Sequence, residues 1–260
     1  MALPALKFFP RPRELTLRGG WLPVPALPHP TALFIKSLPT NMDEARAALT
    51  RTTDGACRIV HKPERGAEGY HIEILASGVR LNAGDAHGVL YGAQTLRQIA
   101  AQYPDELPHL EITDSPALPV RGFMLDVSRT RVPTQAELLA LVRALGRLRV
   151  NQLQLYVEHT FAFRGHEDAW KDASPLTPAE IRELDDACAA LGIELVPNLN
   201  TFGHMERWLR HPRYRAMAEC PEGWIHPLTG QFKEFPGTLR PDQGSLDFVA
   251  GLLDDTLPNF

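Results

Sequence analysis

Hydrophobic positions along the chain follow two different periods. Up to about residue 115, short stretches alternate apolar and polar residues, as in YHIEI at 70–74, which is the period of a strand with one buried face. After that point, apolar strand-like runs alternate with longer helical patterns. Pro116 and Pro119 interrupt any regular element between the two regions. We therefore predict two domains, residues 1–115 and residues 116–260.

The pattern of residues 1–115 predicts a small sheet covered by helices, an α+β domain. A hairpin is indicated at 70–81, where two alternating runs flank a turn at 76–78. The following helix has Asp85 as a candidate N-cap and one apolar stripe, formed by Val89, Ala93, Leu96 and Ile99 or Ala100. Further elements are the strands ALFIKS and CRIVHK and the helix TNMDEARAALT.

The pattern of residues 116–260 predicts three strand–helix units. The strands are FMLDV, NQLQLYV and IELVPN, and the helices begin at the candidate N-caps Thr134, Thr177 and Ser245. Glu137 and Glu180 complete capping boxes with the two threonines. The expected buried stripes are Leu138, Leu141, Val142, Leu145 and Leu148 in the first helix and Ile181, Leu184, Cys188 and Leu191 in the second. Alternating strands and helices imply parallel pairing, in a doubly wound sheet or a (β/α) barrel.

Residues with acid–base chemistry follow all three strands, at the edge where parallel α/β folds place their ligands. These residues are Asp126, Ser128 and Arg129; Glu158 and His159; and Asn198, Asn200, His204 and Glu206. A carboxylate beside an imidazole can hold a proton donor in position, which general acid catalysis requires.

Composition narrows the classes of function. The chain has 44% hydrophobic residues and a net charge of −4, which disfavours nucleic acid and anionic membranes as partners. Its three scattered cysteines disfavour a disulfide framework and a zinc cage. No Gly-rich loop follows the first strand, so we expect no nucleotide cofactor. Without an apolar leader or an apolar run of roughly 18 residues, we expect a cytoplasmic protein.

Three segments in order, RGFMLDVSRTRVP, LQLYVEHTF and ELVPNLNTFGHM, resemble the first three strand ends of glycoside hydrolase family 20, the β-N-acetylhexosaminidases. The segment GYHIEILASGVRLNAGDAHGVLYGAQTLRQ resembles the α+β domain that precedes the catalytic barrel in that family. The resemblance implies an α/β fold in which the small domain is followed by an incomplete TIM-type (β/α) barrel of about three βα units. It also implies a carbohydrate substrate, an N-acetylglucosaminide or an N-acetylgalactosaminide, and no cofactor.

The resemblance implies roles for individual residues. His204 matches the histidine of the family's PGHT motif, and Glu158 stands in a motif that reads LHLTDDQ in many members and LQLYVEH here. Together these two residues would support the catalytic acid. Arg121, in the RG pair, resembles an arginine that binds sugar hydroxyls, and Asn198 and His159 are further candidates for substrate binding.

A structural interpretation stands beside several of these roles. Arg121 opens its strand and can instead bond the domain junction, and His204 can simply cap a helix. Asp126 and Arg129 are expected to be a buried structural pair, and His166 and Glu206 are weaker site candidates. Trp170, Trp208 and Trp224 can stack on sugars or pack in the core.

The family mechanism is substrate-assisted and uses an Asp–Glu pair in a GGDE or GCDE motif after strand four. This chain contains no such motif, and its acidic doublet Asp254–Asp255 falls in the third helix. We therefore expect an N-terminal fragment that is inactive by itself. Two other hypotheses are a non-catalytic amino-sugar-binding remnant and a metalloenzyme with Glu158, His159 and His204 as ligands.

Overall fold

A computed structural model describes residues 6–24, 37–50, 57–129 and 131–260 of the chain. These residues form two compact units. The first unit extends to Arg121 and also contains residues 143–151 and 190–192. The second unit contains the other residues from Gly122 onwards. The predicted boundary between residues 115 and 116 stays a prediction.

The first unit is built on a five-stranded sheet in the order β1-β5-β3-β4-β2. All neighbours pair antiparallel except β2 and β4, which pair parallel. The strands are β1 (Glu14–Pro23), β2 (Cys57–His61), β3 (Tyr70–Leu75), β4 (Gly78–Ala83) and β5 (Glu106–Asp114), and the helices are α1 (Met42–Thr50) and α2 (Ala86–Gln102). Pro63–Arg65 form a 3₁₀ turn.

The apolar periodicity of the first unit is confirmed. Strands β3 and β4 form the predicted hairpin, with Tyr70 opposite Ala83 and Leu75 opposite Gly78. Asp85 caps α2 by accepting a hydrogen bond from the Gly88 amide at 2.8 Å. The predicted stripe of α2 lies in the core at Val89, Ala93, Leu96 and Ile99. Most of the predicted strand ALFIKS lies outside the described residues.

The second unit contains a three-stranded parallel sheet in the order β6-β7-β8. Its strands are β6 (Gly122–Asp126), β7 (Gln152–Val157) and β8 (Glu194–Leu199). The sheet is open, with β6 and β8 as its edges. The other elements are α3 (Gln135–Arg147), α4 (Glu167–Trp170), α5 (Pro178–Ala190), α6 (Glu206–Leu209), α7 (Pro212–Arg215), β9 (Trp224–Ile225), β10 (Phe232–Lys233), α8 (Gln243–Thr256) and a 3₁₀ turn at Leu257–Asn259.

Side chains alternate between the two faces of this parallel sheet. Leu153, Leu155 and Val157 of β7 are buried on one face, while Gln154 and Tyr156 lie half-buried on the other. The mixed α/β class predicted from the sequence is confirmed. Among the described residues, every helix is too short or too polar to span a lipid bilayer.

Two of the three predicted helix starts are confirmed. Thr134 with Glu137 and Thr177 with Glu180 form reciprocal capping boxes at the starts of α3 and α5. The third start was predicted wrongly, because Asp242 rather than Ser245 is the N-cap of α8. The Asp242 carboxylate accepts a hydrogen bond from the Ser245 amide at 3.0 Å, so the helix begins three residues earlier than predicted.

The predicted stripe of α3 is correct for Leu138, Val142 and Leu145, which are buried. It is wrong for Leu148, whose side chain is 41% exposed, because α3 ends at Arg147 and the chain leaves the helical register. In α5, Ile181, Leu184 and Cys188 are buried as predicted.

A buried ion pair lies within the first unit. Arg149 donates to Asp114 at 2.6 Å, and both side chains are 7% exposed. Arg149 also donates to Thr95 at 2.7 Å and to the Tyr70 hydroxyl at 3.1 Å. Tyr70 in turn donates to Asp114 at 2.9 Å. Each charge is therefore paired and hydrogen-bonded, as a buried ion pair requires.

We predict that Arg149→Met lowers the free energy of unfolding by about 3–5 kcal/mol, because the Asp114 carboxylate stays buried without its cation. Denaturant unfolding followed by circular dichroism measures this loss. The matched control is Arg80→Met, which removes the exposed 3.1 Å pair with Glu73 and should cost no more than about 1 kcal/mol. Equal losses in the two variants would contradict the structural role of the buried pair.

Candidate functional site

The carboxyl ends of β6, β7 and β8 bring the predicted polar residues to one edge of the sheet. The register pairs Asp126 with Tyr156 and Tyr156 with Asn198. In a parallel sheet, such partners project from the same face. The face that carries Tyr156 therefore also carries the side chains of Asp126 and Asn198 at the strand ends.

Glu158 is the best-fixed residue of this edge. It follows β7 directly and is 7% exposed. Its amide donates to the Ser128 hydroxyl at 2.7 Å, and its carbonyl oxygen accepts from the Trp208 indole at 2.8 Å. Its carboxylate oxygen Oε1 accepts from the Tyr156 hydroxyl at 3.0 Å. Contacts to the backbone and to the side chain together hold the carboxylate in one position.

His204 meets Glu158, as the sequence predicted. Its Nδ1 lies 3.7 Å from Glu158 Oε1, which is ion-pair range and longer than a hydrogen bond. The His204 side chain is 58% exposed, and its ring lies edge-on to that of Tyr156 with centroids 6.3 Å apart. The imidazole thus borders both the buried carboxylate and open solvent.

His204 does not cap a helix, so the structural interpretation of this residue is wrong. Helix α6 begins at Glu206, with Met205 at the N-cap position. His204 itself has a positive φ of 57°, and Gly203 does not. A non-glycine residue held at positive φ is a feature that recurs at functional sites.

Asp126 and Arg129 form a pair at the end of β6, but the pair is not buried as predicted. Their side chains are 31% and 60% exposed, and Arg129 Nε donates to Asp126 Oδ2 at 2.5 Å. The Arg129 guanidinium also lies 4.8 Å from the centre of the Tyr156 ring. The pair remains solvent-accessible because β6 is an edge strand of the open sheet.

Arg121 lies in the first unit, and its five N–H donors all have partners. Two donors bond Glu68 at 2.8 and 2.9 Å, and the others bond the Tyr91 hydroxyl and the carbonyl oxygens of Leu118 and Arg149. This geometry favours the structural interpretation of Arg121, since each donor that could bind a sugar hydroxyl already has an acceptor.

The other candidates divide into exposed and buried groups. Asn198 is half-buried and donates to Gln154 Oε1 at 3.2 Å on the polar face of the sheet. His159 is only 4% exposed, and its Nδ1 has no hydrogen-bond partner among the described residues. Burial, together with the nearby charges of Arg207 and Arg210, lowers the pKa of His159 to about 4.

Two of the three candidate tryptophans pack rather than face solvent. Trp208 is fully buried in an aromatic cluster with Phe161, Phe163, His166, Tyr214 and Phe248. Trp170 donates to the Phe163 carbonyl at 2.8 Å. His166 belongs to the same cluster and bonds the Tyr214 hydroxyl at 2.8 Å. Trp224 is 36% exposed in the β9–β10 hairpin.

The described residues contain no group of three or more His, Cys, Asp or Glu side chains arranged to hold a metal ion. Glu158, His159 and His204 are therefore not gathered around one metal position. The metalloenzyme hypothesis gains no geometric support.

Sequence reasoning missed the residues that hold Glu158. Tyr156 lies two positions before it, and strand alternation would have placed both side chains on one face. Ser128 bonds both the Glu158 amide and the Thr160 hydroxyl, the latter at 2.8 Å. Ser128 and Glu158 follow different strands, so their spacing along the sequence does not indicate that they are hydrogen-bond partners.

Comparison with known proteins supports one family of enzymes. The family model described as "Glycosyl hydrolase family 20, domain 2" matches residues 8–115. A β-hexosaminidase of Akkermansia muciniphila is 29% identical over 202 residues, which are 69% of this chain and 41% of that protein. These matches support glycoside hydrolase family 20.

Solved structures share the fold. A chitobiase of Flavobacterium johnsoniae superposes with a TM-score of 0.72 at 19% identity, covering 97% of this chain and 43% of that one. A mutant β-hexosaminidase of Streptomyces plicatus, solved with the product GlcNAc, gives a TM-score of 0.70 at 20% identity, covering 99% and 57%. The chain thus spans less than half of the curated relative from Akkermansia muciniphila and little more than half of the Streptomyces plicatus structure.

The depressed pKa of His159 predicts a pH dependence of stability. Between pH 6.5 and about 4 the unfolded chain binds a proton at this residue and the folded chain does not, so stability falls as the pH is lowered through this range. His159→Gln should reduce the slope of the unfolding free energy against pH by up to the equivalent of one bound proton. Denaturant unfolding at pH 7, 5 and 4 measures the slope. An unchanged slope in the variant would show that His159 has the same pKa in the folded and the unfolded chain, which contradicts the prediction.

Proposed function

We propose that this chain is part of an enzyme that hydrolyses terminal, non-reducing, β-linked N-acetylhexosamine residues. The observation that carries the proposal is the contact of buried Glu158 with exposed His204 at the strand ends, the edge where α/β enzymes place their active sites. The names of the relatives support the same activity, since those from Akkermansia muciniphila and Coccidioides posadasii are both β-hexosaminidases.

Residues 116–260 are, in this proposal, the first part of a (β/α)8 catalytic barrel, preceded by the α+β domain of residues 1–115. Three parallel strands with two open edges support this interpretation, because a barrel strand normally pairs on both sides. The greater length of the relatives supports it as well. The cytoplasmic location stays a prediction from the sequence.

The proposed mechanism is retaining and substrate-assisted. The acetamido oxygen of the substrate attacks the anomeric carbon while the bond to the glycosidic oxygen breaks, and the leaving oxygen takes a proton from an enzyme glutamic acid. Water then opens the oxazolinium intermediate and returns the proton to that glutamate. The acid and its aspartate neighbour would come from the fourth strand of the complete barrel.

Glu158 and His204 would support that acid from the neighbouring strand ends. The Glu158 carboxylate is fixed by Tyr156, and it can hold the His204 imidazole in a defined orientation. His204, with most of its side chain exposed, is the member of the pair that can reach a group outside the described residues. The pair therefore acts as a positioning unit.

Arg129 is better placed than Arg121 to contact the sugar. Its guanidinium is exposed at the carboxyl end of β6, beside the ring of Tyr156, and a planar guanidinium can donate to two adjacent hydroxyls. Among the remaining candidates, Asn198 on the polar face suits substrate binding, whereas burial of His159 suits support of the strand end. The preference for a gluco- or galacto-configured sugar is left open.

The test is hydrolysis of an aryl N-acetyl-β-glucosaminide by the protein extended through its complete barrel. Glu158→Gln should lower kcat/KM by about 10²-fold, because His204 loses the charge of its partner. The matched control is Glu194→Gln, the same change in a glutamate at the start of β8. This residue lies at the opposite edge of the sheet from Glu158, so kcat/KM should stay within about twofold of the parent.

The 260-residue chain alone should show no turnover, since it lacks the Asp–Glu motif that supplies the acid. Turnover by this chain would contradict the proposed division of the barrel. An extended protein that binds an amino sugar without cleaving it would instead support the non-catalytic binding hypothesis.

A further inference from the structure

Tyr156 occupies the centre of the strand-end arrangement in the second unit. It lies in β7, the middle strand of the sheet, opposite Asp126 of β6 and Asn198 of β8. Its side chain is half-buried on the polar face of the sheet. The motif that reads LHLTDDQ in many family members has a threonine at this position, so the aromatic ring is a feature of this chain.

The hydroxyl group of Tyr156 orients the Glu158 carboxylate. It donates to Glu158 Oε1 at 3.0 Å, and His204 Nδ1 lies 3.7 Å from the same oxygen atom. The hydroxyl therefore bonds the oxygen that faces the imidazole. Because the terminal torsion of a glutamate has broad minima, this hydrogen bond restricts the orientation that the carboxylate presents to His204.

The ring of Tyr156 contacts the two exposed side chains of the site. The Arg129 guanidinium lies 4.8 Å from the ring centre, which is within cation–π range. The His204 ring meets it edge-to-face, at an interplanar angle of 79°. Arg129 also pairs with Asp126, but that pair is exposed, and an exposed pair restrains a guanidinium weakly. The tyrosine ring is thus a further support for Arg129.

We propose that Tyr156 is a positioning residue that serves both halves of the site, the sugar-binding Arg129 and the Glu158–His204 pair. The inference rests on the proposed function. Each half is reached through a different part of the side chain, so the two contributions can be separated. The hydroxyl acts through Glu158 and affects kcat, because the catalytic acid needs its support as the proton moves. The ring acts through Arg129 and affects KM, because the sugar hydroxyls are already bound in the ground state.

The experiment compares Tyr156→Phe with Tyr156→Leu in the protein extended through its complete barrel. Tyr156→Phe keeps the ring and removes the hydroxyl, so kcat for an aryl N-acetyl-β-glucosaminide should fall about tenfold while KM stays within about twofold. Tyr156→Leu removes the ring as well, so KM should also rise about tenfold. Calorimetry with free N-acetylglucosamine should show weaker binding in Tyr156→Leu and parental binding in Tyr156→Phe.

A double-mutant cycle tests whether the ring acts through Arg129. In the Arg129→Met background, Tyr156→Leu should weaken N-acetylglucosamine binding further by less than about twofold, because the guanidinium that the ring supports is gone. A further loss of about tenfold in that background would show that the ring does not act through Arg129, and it would overturn the positioning role.

The matched control is Tyr103→Phe, which removes a tyrosine hydroxyl from the first unit and should leave kcat and KM within about twofold of the parent. Thermal melting establishes that all variants are folded. Parental kcat in Tyr156→Phe, or parental sugar binding in Tyr156→Leu, would overturn the proposal. If the parent protein binds the sugar without turnover, the proposed function fails, and the calorimetric cycle still decides whether the ring positions Arg129. A parent protein that does not bind the sugar would overturn both.

Discussion

A carboxylate buried at the end of a parallel strand requires donors that replace its lost hydration, and the second unit is arranged around that requirement. Glu158 receives its side-chain donor from Tyr156 on its own strand, and its backbone is held by Ser128 after β6 and by Trp208 in α6. Contacts from three segments therefore converge on one residue. Because Trp208 also anchors the aromatic cluster, the position of Glu158 is coupled to the packing of the unit's core.

This arrangement leaves one charge buried and its partner exposed. Glu158 is fixed while His204, at a left-handed backbone position, stands between the carboxylate and solvent. Such an asymmetry suits a proton-handling pair, since the fixed carboxylate sets the orientation of an imidazole that still has access to other groups.

Local features were predictable from the sequence, whereas long-range partners were not. Capping boxes at Thr134 and Thr177 and the hairpin at 70–83 depend on residues a few positions apart, and the structure confirms them. The cap at Asp242 was missed because the apolar pattern begins only after it. The role of Arg121 depends on Glu68, 53 positions away, and no spacing rule reports such a partner. The exposure of the Asp126–Arg129 pair likewise follows from the edge position of β6.

Family similarity and geometry contribute different kinds of support. The match of residues 8–115 to the family model lies in the first unit, while the candidate chemistry lies in the second unit. The two lines of support therefore rest on different residues. The part of the site that the proposed mechanism needs, an Asp–Glu pair, is absent from this sequence.

The most direct test of the account is a crystal structure of the extended protein with N-acetylglucosamine bound. The account predicts the sugar at the ends of β6, β7 and β8, with its hydroxyls within hydrogen-bond distance of Arg129 and with His204 between Glu158 and the residues of the fourth strand. A sugar bound away from these strand ends, or held by Arg121 in place of Arg129, would contradict it.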